Sequence, residues 1–179
     1  MVGSRAGGIA ATNTGPHTAP EPTAALARIA LPIIEIPAAT QLYRVHRDGC
    51  DPVYFTPRKP PIHRFDDPDG AFGTLYLGEL LEAGFVETLL RNPRLRLVAR
   101  AEIDMRRWSI LTGLRTLRLV DFTGPGLSVV GTDGGVNTGP YRISQAWARA
   151  LFNHTDAPDG VLYPSRHDPS LKCAAVFIH

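Results

Sequence analysis

Apolar positions along the chain fall into two helical stripes and several short alternating runs. Leu80, Leu81, Phe85, Leu89 and Leu90 recur at helical spacing and predict a helix from Glu79 to Leu90, which Asn92-Pro93 terminates. Ala146, Trp147, Ala150 and Leu151 form the apolar face of a second helix, with Ser144 as its expected N-cap and its end near Asn153. Strands are predicted at Gln41 to His46, Gly73 to Leu77, Arg94 to Ile103, Leu114 to Phe122, Val161 to Tyr163 and Cys173 to Ile178. Thr23 to Ala30 allows a short helix, after which Pro32 and Pro37 force an extended path, because each fixes φ and lacks an amide donor. A long Pro- and Gly-rich loop follows the first strand through Pro61, and a Gly-rich loop, expected to be mobile, runs from Thr123 to Pro140. The fold class is α+β.

Composition narrows the class. Residues 1–22 carry small and turn-forming side chains with almost nothing to bury and are expected to be a disordered tail. Residues 23–40 form a Pro-interrupted lead-in, and residues 41–179 one domain. With 44% hydrophobic and 20% charged residues in 179, the chain has enough apolar surface to offset the entropy of ordering. Its 19 basic and 17 acidic residues nearly balance, with no run of like charge, which argues against direct nucleic-acid binding. Arg91, Arg94, Arg96, Arg100, Arg106 and Arg107 make a basic stripe that reads as a solvated face. Two cysteines, Cys50 and Cys173, suit neither a disulfide framework nor a metal site. The apolar stretch from Ala24 to Ala39 is too interrupted to cross a membrane, and a cytoplasmic protein is expected.

Several segments, taken in order, carry a resemblance: LYRVHR, RF after the Pro-rich loop, GTLYLGE opening a helix, VDFTGPG, SQAWARAL and GVLYPSRHDP. From about Leu42 to Phe177 the chain resembles the RES domain. The resemblance implies mixed sheets with flanking helices, similar to the ADP-ribosyltransferase toxin fold. It also implies an NAD⁺-degrading toxin of a toxin–antitoxin module, with NAD⁺ as substrate and no cofactor or metal. The implied partner is an Xre-type helix-turn-helix antitoxin, with which the chain would assemble as an oligomer. The family's namesake Arg, Glu and Ser match Arg44, Glu87 and Ser165, and its second arginine and tyrosine match Arg64 and Tyr76.

The chemistry asks for these residue types on its own terms. Breaking the nicotinamide–ribose bond builds positive charge on the ribose, which a fixed carboxylate such as Glu87 stabilises. Arg44 and Arg64 suit a bidentate grip on pyrophosphate. Tyr76 can stack on nicotinamide and Ser165 can hydrogen-bond ribose or phosphate. Each has a plainer reading: a solvated helix residue, surface charges, a half-buried aromatic, a turn serine. Glu79 and Glu82 are rivals for the carboxylate role, and His46, His63 and His167 share no ligand spacing. GPGLSVVGTDGG lacks the spacing of a dinucleotide fingerprint. Acceptors of ADP-ribose open to this chemistry are water, phosphate or a protein. A domain that only binds is the remaining alternative.

Overall fold

The computed structural model describes residues 18–55, 59–90, 92, 94 and 97–178. After a 3₁₀ turn (Ala24–Arg28) come β1 (Ile33–Ile36), β2 (Gln41–Arg47), β3 (Gly73–Gly78), α1 (Leu81–Leu89), α2 (Arg100–Asp104), β4 (Arg106–Thr112) and β5 (Leu117–Asp121). Then follow α3 (Gly126–Val130), α4 (Gly135–Thr138), α5 (Tyr141–Phe152), β6 (Gly160–Pro164) and β7 (Lys172–Ile178). The strands make one mixed sheet in the order β1-β5-β6-β7-β3-β2-β4. Among the described residues only β5 and β6 pair in parallel.

This order forces the sheet to curl. β1 and β2 stand five places apart, about 24 Å in a flat sheet, yet residues 37–40 alone connect them and reach roughly 18 Å at most. The curled sheet packs one face against itself: Ile36, Leu42, Leu75, Leu77, Leu119 and Leu162 share a core to which no helix contributes. The helices cover the other face. There Trp147, Phe65, Phe72 and Phe122 are fully enclosed, with Phe65 against Tyr163 at 4.8 Å and Phe122 edge-on to Trp147 at 6.0 Å. Packing of this kind, not helix propensity, holds α5 in place.

The elements differ from the sequence expectations where tertiary contacts override local signals. Four residues between Pro32 and Pro37 form β1, an edge strand on β5, a position that tolerates flanking prolines. Within the strand expected from Arg94 to Ile103, residues 95 and 96 lie outside the described residues, and Arg100–Asp104 is helical, with an i,i+4 pair between Arg100 and Asp104. The strand lies later, at Arg106–Thr112. Its alternation is faint because an edge strand leaves Trp108 and Ile110 exposed. The run expected from Leu114 starts at Leu117, since Leu114 is wholly exposed.

The Gly-rich segment expected to be mobile folds as α3 and α4. Val130 and Val136 are buried there, and Asn137 donates from Nδ2 to Phe122 O at 2.8 Å. Ser144 is not an N-cap; Pro140 takes that position, and Ser144 lies buried inside α5 with its hydroxyl on Val136 O at 2.6 Å. Of the expected tail, residues 1–17 lie outside the described residues. Residues 18–22 dock on the domain: Ala19 is buried, Pro20 O accepts the Trp147 indole N–H at 2.9 Å, and Glu21 pairs with Arg142. Backbone oxygen, which composition does not register, makes the contact.

α1 lies directly on β2 and β3 because glycines face each other there. A Cβ on Gly78 would stand 2.7 Å from Leu80 O, 2.8 Å from Ala83 Cβ and 2.9 Å from Gly84 N. Gly84 in turn sits beside Val45 of β2. Overpacking so close a contact costs about 1–3 kcal/mol. Gly78→Ala is therefore expected to lower the urea midpoint with an unchanged m-value, measured by far-UV circular dichroism.

Candidate functional site

Directly paired residues share a sheet face, so the strand registers define a single row: Tyr163 opposite Cys173, Cys173 opposite Gly78, Gly78 opposite Tyr43, and Tyr43 opposite Ile110. This row crosses β6, β7, β3, β2 and β4. β2 and β3 meet in register only at Tyr43 and Gly78, and where they part a cleft of about 480 Å³ opens beneath α1. Its described lining carries four arginines, Arg44, Arg64, Arg106 and Arg166, against one acid, Glu87. Such a surface suits a ligand with more than one negative charge.

The segment after the Pro-rich loop builds one wall. Arg64 is buried, and its Nη1 donates to Val136 O at 3.2 Å, Gly139 O at 3.0 Å and Ser144 Oγ at 3.1 Å. Its guanidinium stands 4.7 Å over the Tyr141 ring. Burial lowers the Arg64 pKa, Tyr141 opposes that, and Nη2 is buried without a hydrogen-bond partner among the described residues. Phe65 fills the core. Asp66 then accepts the Ile62 and His63 amides on Oδ2, at 3.1 and 2.8 Å, and the Tyr76 hydroxyl on Oδ1 at 3.1 Å.

Tyr76 projects from β3 toward the cleft. Its hydroxyl also accepts the Phe65 amide at 2.9 Å, so both its donor and acceptor are engaged. The residue as a whole is only half-buried while its phenol oxygen is enclosed, which leaves part of the ring for the cleft. Burial pushes the phenol pKa well above its ordinary value, and the Asp66 charge adds to that. His63 meets the ring edge-on at 5.5 Å.

Glu87 projects from α1 and is held by the loop after β6. Its Oε1 accepts the Ser165 hydroxyl at 2.6 Å and the Arg166 amide at 3.2 Å. Ser165 is fully buried, and its Oγ also accepts the His167 and Asp168 amides at 3.2 and 3.3 Å. Together these bonds set the orientation of the carboxylate. On the floor, burial and the charges of Glu87 and Glu79 push the Cys173 thiol up to about 12, so it stays protonated and inert.

Arg44 lines the cleft, but strand alternation turns its side chain to the face opposite Tyr43 and Val45. Nη1 donates to Pro52 O at 2.6 Å and Tyr54 O at 2.9 Å, clamping the loop that follows β2. Burial lowers its pKa, against the charge of Asp51. The structure thus places Arg44, Arg64, Tyr76 and Glu87 around one cleft and joins Ser165 to it through Glu87. His63 and His167 also line it. His46 instead bonds Ser109 Oγ at 2.9 Å, and neither Glu79 nor Glu82 reaches the lining.

Sequence reasoning missed Asp66, Tyr141 and Arg166, whose places depend on contacts between distant segments. It also assigned Arg106 to a solvated stripe. Arg100 and Arg107 are indeed open to solvent, but the Arg106 side chain is 21% exposed and faces the cleft. Among the described residues no group of acids, histidines and cysteines is arranged to hold a metal ion, and no helix is long and apolar enough to cross a membrane.

A family model described as the RES domain matches residues 41–179. No curated protein matches in sequence. Among solved structures, a chain in the crystal structure of the M. tuberculosis MbcT–MbcA toxin–antitoxin complex is similar, with a TM-score of 0.60 at 19% identity. The match covers 80% of this chain and 76% of that one. The likeness supports the α+β fold.

Tyr76→Phe leaves Asp66 and the Phe65 amide each short of a partner, and is expected to cost about 1–3 kcal/mol of unfolding free energy. The folded-state pKa of Tyr76 lies above its unfolded value, so the stabilisation is whole below about pH 10 and lost as pH rises through the folded value. Denaturant melts of both proteins should keep a level gap from neutral pH to about 9 and show it narrowing only above about 10.

Proposed function

The chain belongs to the RES-domain family, and from that premise we propose that it cleaves the nicotinamide–ribose bond of NAD⁺ and passes ADP-ribose to water or phosphate. The observation that carries this reading is Glu87. Its carboxylate is oriented by Ser165 and the Arg166 amide inside a cleft whose other charged lining residues, among those described, are arginines. A ligand that is anionic along its backbone and develops positive charge at one carbon matches that pattern.

In the proposed reaction the ribose C1′–nitrogen bond breaks and nicotinamide leaves with the electron pair. The positive charge left on the ribose ring is stabilised by Glu87. An oxygen of water or phosphate then forms the new bond to C1′, and water gives up a proton in doing so. Arg64, whose Nη2 has no hydrogen-bond partner among the described residues, grips the pyrophosphate, while Arg44, turned to the other face of β2, holds the loop after β2 at the rim of the cleft. The Tyr76 hydroxyl is fully engaged, so Tyr76 acts through its ring, holding nicotinamide in a reactive pose.

The biological role that follows is NAD⁺ depletion by the toxin of a toxin–antitoxin module in the cytoplasm. The partner is an Xre-type helix-turn-helix antitoxin. The support is family membership and the likeness to a chain from a toxin–antitoxin complex. Transfer to a protein uses the same site and differs only in the acceptor.

The test is nicotinamide release from NAD⁺, with and without inorganic phosphate. Glu87→Gln keeps an acceptor for Ser165 and Arg166 but removes the charge, and should lower kcat by about 10²–10³-fold. Label from NAD⁺ retained on a protein band would identify a protein acceptor. Wild-type protein that releases no nicotinamide under any of these conditions would sink the proposal.

A further inference from the structure

A pyrophosphate needs its cations close together, because its two phosphorus atoms share one oxygen. Arg64 supplies one cation at the β6 end of the cleft: the adjacent Phe65 packs on Tyr163 of β6 with ring centroids 4.8 Å apart. Two of the other lining arginines are badly placed to be its companion. Arg44 is turned to the far face of β2 and spends Nη1 on the Pro52 and Tyr54 carbonyls. Arg106 stands on β4, four strand spacings from β6, about 19 Å along the sheet. Arg166 remains.

Arg166 lies just past the end of β6 at Pro164, and its backbone is fixed. Its amide donates to Glu87 at 3.2 Å, and the next two amides, of His167 and Asp168, donate to Ser165 Oγ at 3.2 and 3.3 Å. The side chain is exposed yet lines the cleft, and its guanidinium forms no hydrogen bond or ion pair with another described residue. Arg64 feels this charge: burial is the main cause of its lowered pKa, and after the opposing Tyr141 the Arg166 charge comes next. Two guanidiniums thus face one space at the same end of the cleft, and Arg64 Nη2 also has no acceptor among the described residues. An anion between them relieves their repulsion and supplies the missing acceptor.

We propose that Arg166 is the second guanidinium of the pyrophosphate grip, closing on it together with Arg64. This rests on the NAD⁺ reading above and completes its binding site. The role that the family resemblance gives to Arg44 passes to the residue beside Ser165. One loop then serves both parts of the substrate: its backbone orients Glu87 toward the ribose, and its side chain takes the phosphates.

Calorimetric binding tests the assignment without requiring turnover, with ADP-ribose, which has the pyrophosphate, and nicotinamide riboside, which has no phosphate, as probes. Arg166→Ala should weaken ADP-ribose binding about tenfold, the loss of a charge-assisted contact, and leave nicotinamide riboside binding and the melting temperature unchanged. Arg166→Lys keeps the charge but not the two-pronged donor and should fall between. Arg107→Ala removes an equal charge from the exposed partner of Asp48, outside the cleft lining, and should match the wild type. Rising ionic strength should weaken ADP-ribose binding less in Arg166→Ala than in the wild type, which a loosened fold does not explain. In turnover, Arg166→Ala should raise KM for NAD⁺ and leave kcat within about threefold, because alanine keeps the amide that Glu87 accepts. Unchanged ADP-ribose affinity in Arg166→Ala, no ADP-ribose binding by the wild type, equal losses for both probes, or an equal loss in Arg107→Ala would overturn the assignment. Nicotinamide release without any dependence of binding on Arg166 would leave the reaction standing and remove the grip. The selective binding loss without nicotinamide release would do the reverse.

Discussion

How closely α1 can lie on the sheet governs the rest of the site. Gly78 has room for no side chain: a Cβ there would stand 2.8 Å from Ala83 Cβ and 2.9 Å from the Gly84 amide nitrogen. With larger residues at that contact, the helix would ride higher and carry Glu87 away from the loop after β6. The 2.6 Å bond from Ser165 and the 3.2 Å bond from the Arg166 amide have little tolerance for displacement. A packing constraint at Gly78 therefore becomes an electrostatic one. It places one carboxylate, oriented, over the row of residues where β2 and β3 part.

A second constraint follows from charge. Arg64 is buried, and its partners among the described residues are neutral: two carbonyls, a hydroxyl and an aromatic face. A carboxylate in that place would cancel the positive field of the cleft, whereas neutral oxygens reduce the desolvation cost and leave the charge to act. Those oxygens belong to α4 and α5 and the short link between them, which explains why the Gly-rich segment is folded. Asp66, two residues along, spends its own charge on two amides and the Tyr76 hydroxyl. Positive and negative groups adjacent in sequence thus serve different walls.

Much of this was legible in the chain, for reasons that can be named. β3 and β7 bury successive positions against the two cores, so their apolar runs are clear; β2 and α1 were also anticipated within a few residues, although they give the cores only Leu42 and Ala83. β1 and β4 lie at the sheet edges, where alternation weakens and prolines or exposed aromatics blur it. Ser144 obeys the composition of an N-cap and is instead a buried anchor for Arg64, a choice that only the position of residue 64 can make. Ala19 and Pro20 look like tail and are held by a tryptophan 127 residues away, through a backbone oxygen. Four of the five matched residues line the cleft, and the fifth reaches it through Glu87. The direction of the Arg44 guanidinium was not legible, since it depends on which carbonyls the following loop brings back.

The strand order explains how positions as distant as Arg44 and Ser165 come to share one site. β6 and β7, the last strands in the chain, insert between β5 and β3, so the loop after Pro164 falls beside the helix that follows β3. Between β3 and β7 six registered pairs hold the two strands together, while one pair holds β3 to β2. The sheet is thus continuous where Glu87 and Ser165 must meet and loose on the side of β2 and β4, where the cleft opens. An arginine on the far strand, such as Arg106, can then face the same space as a glutamate on the near helix. Positions separated in sequence are united by register, and register is set by the apolar faces that the curled sheet buries.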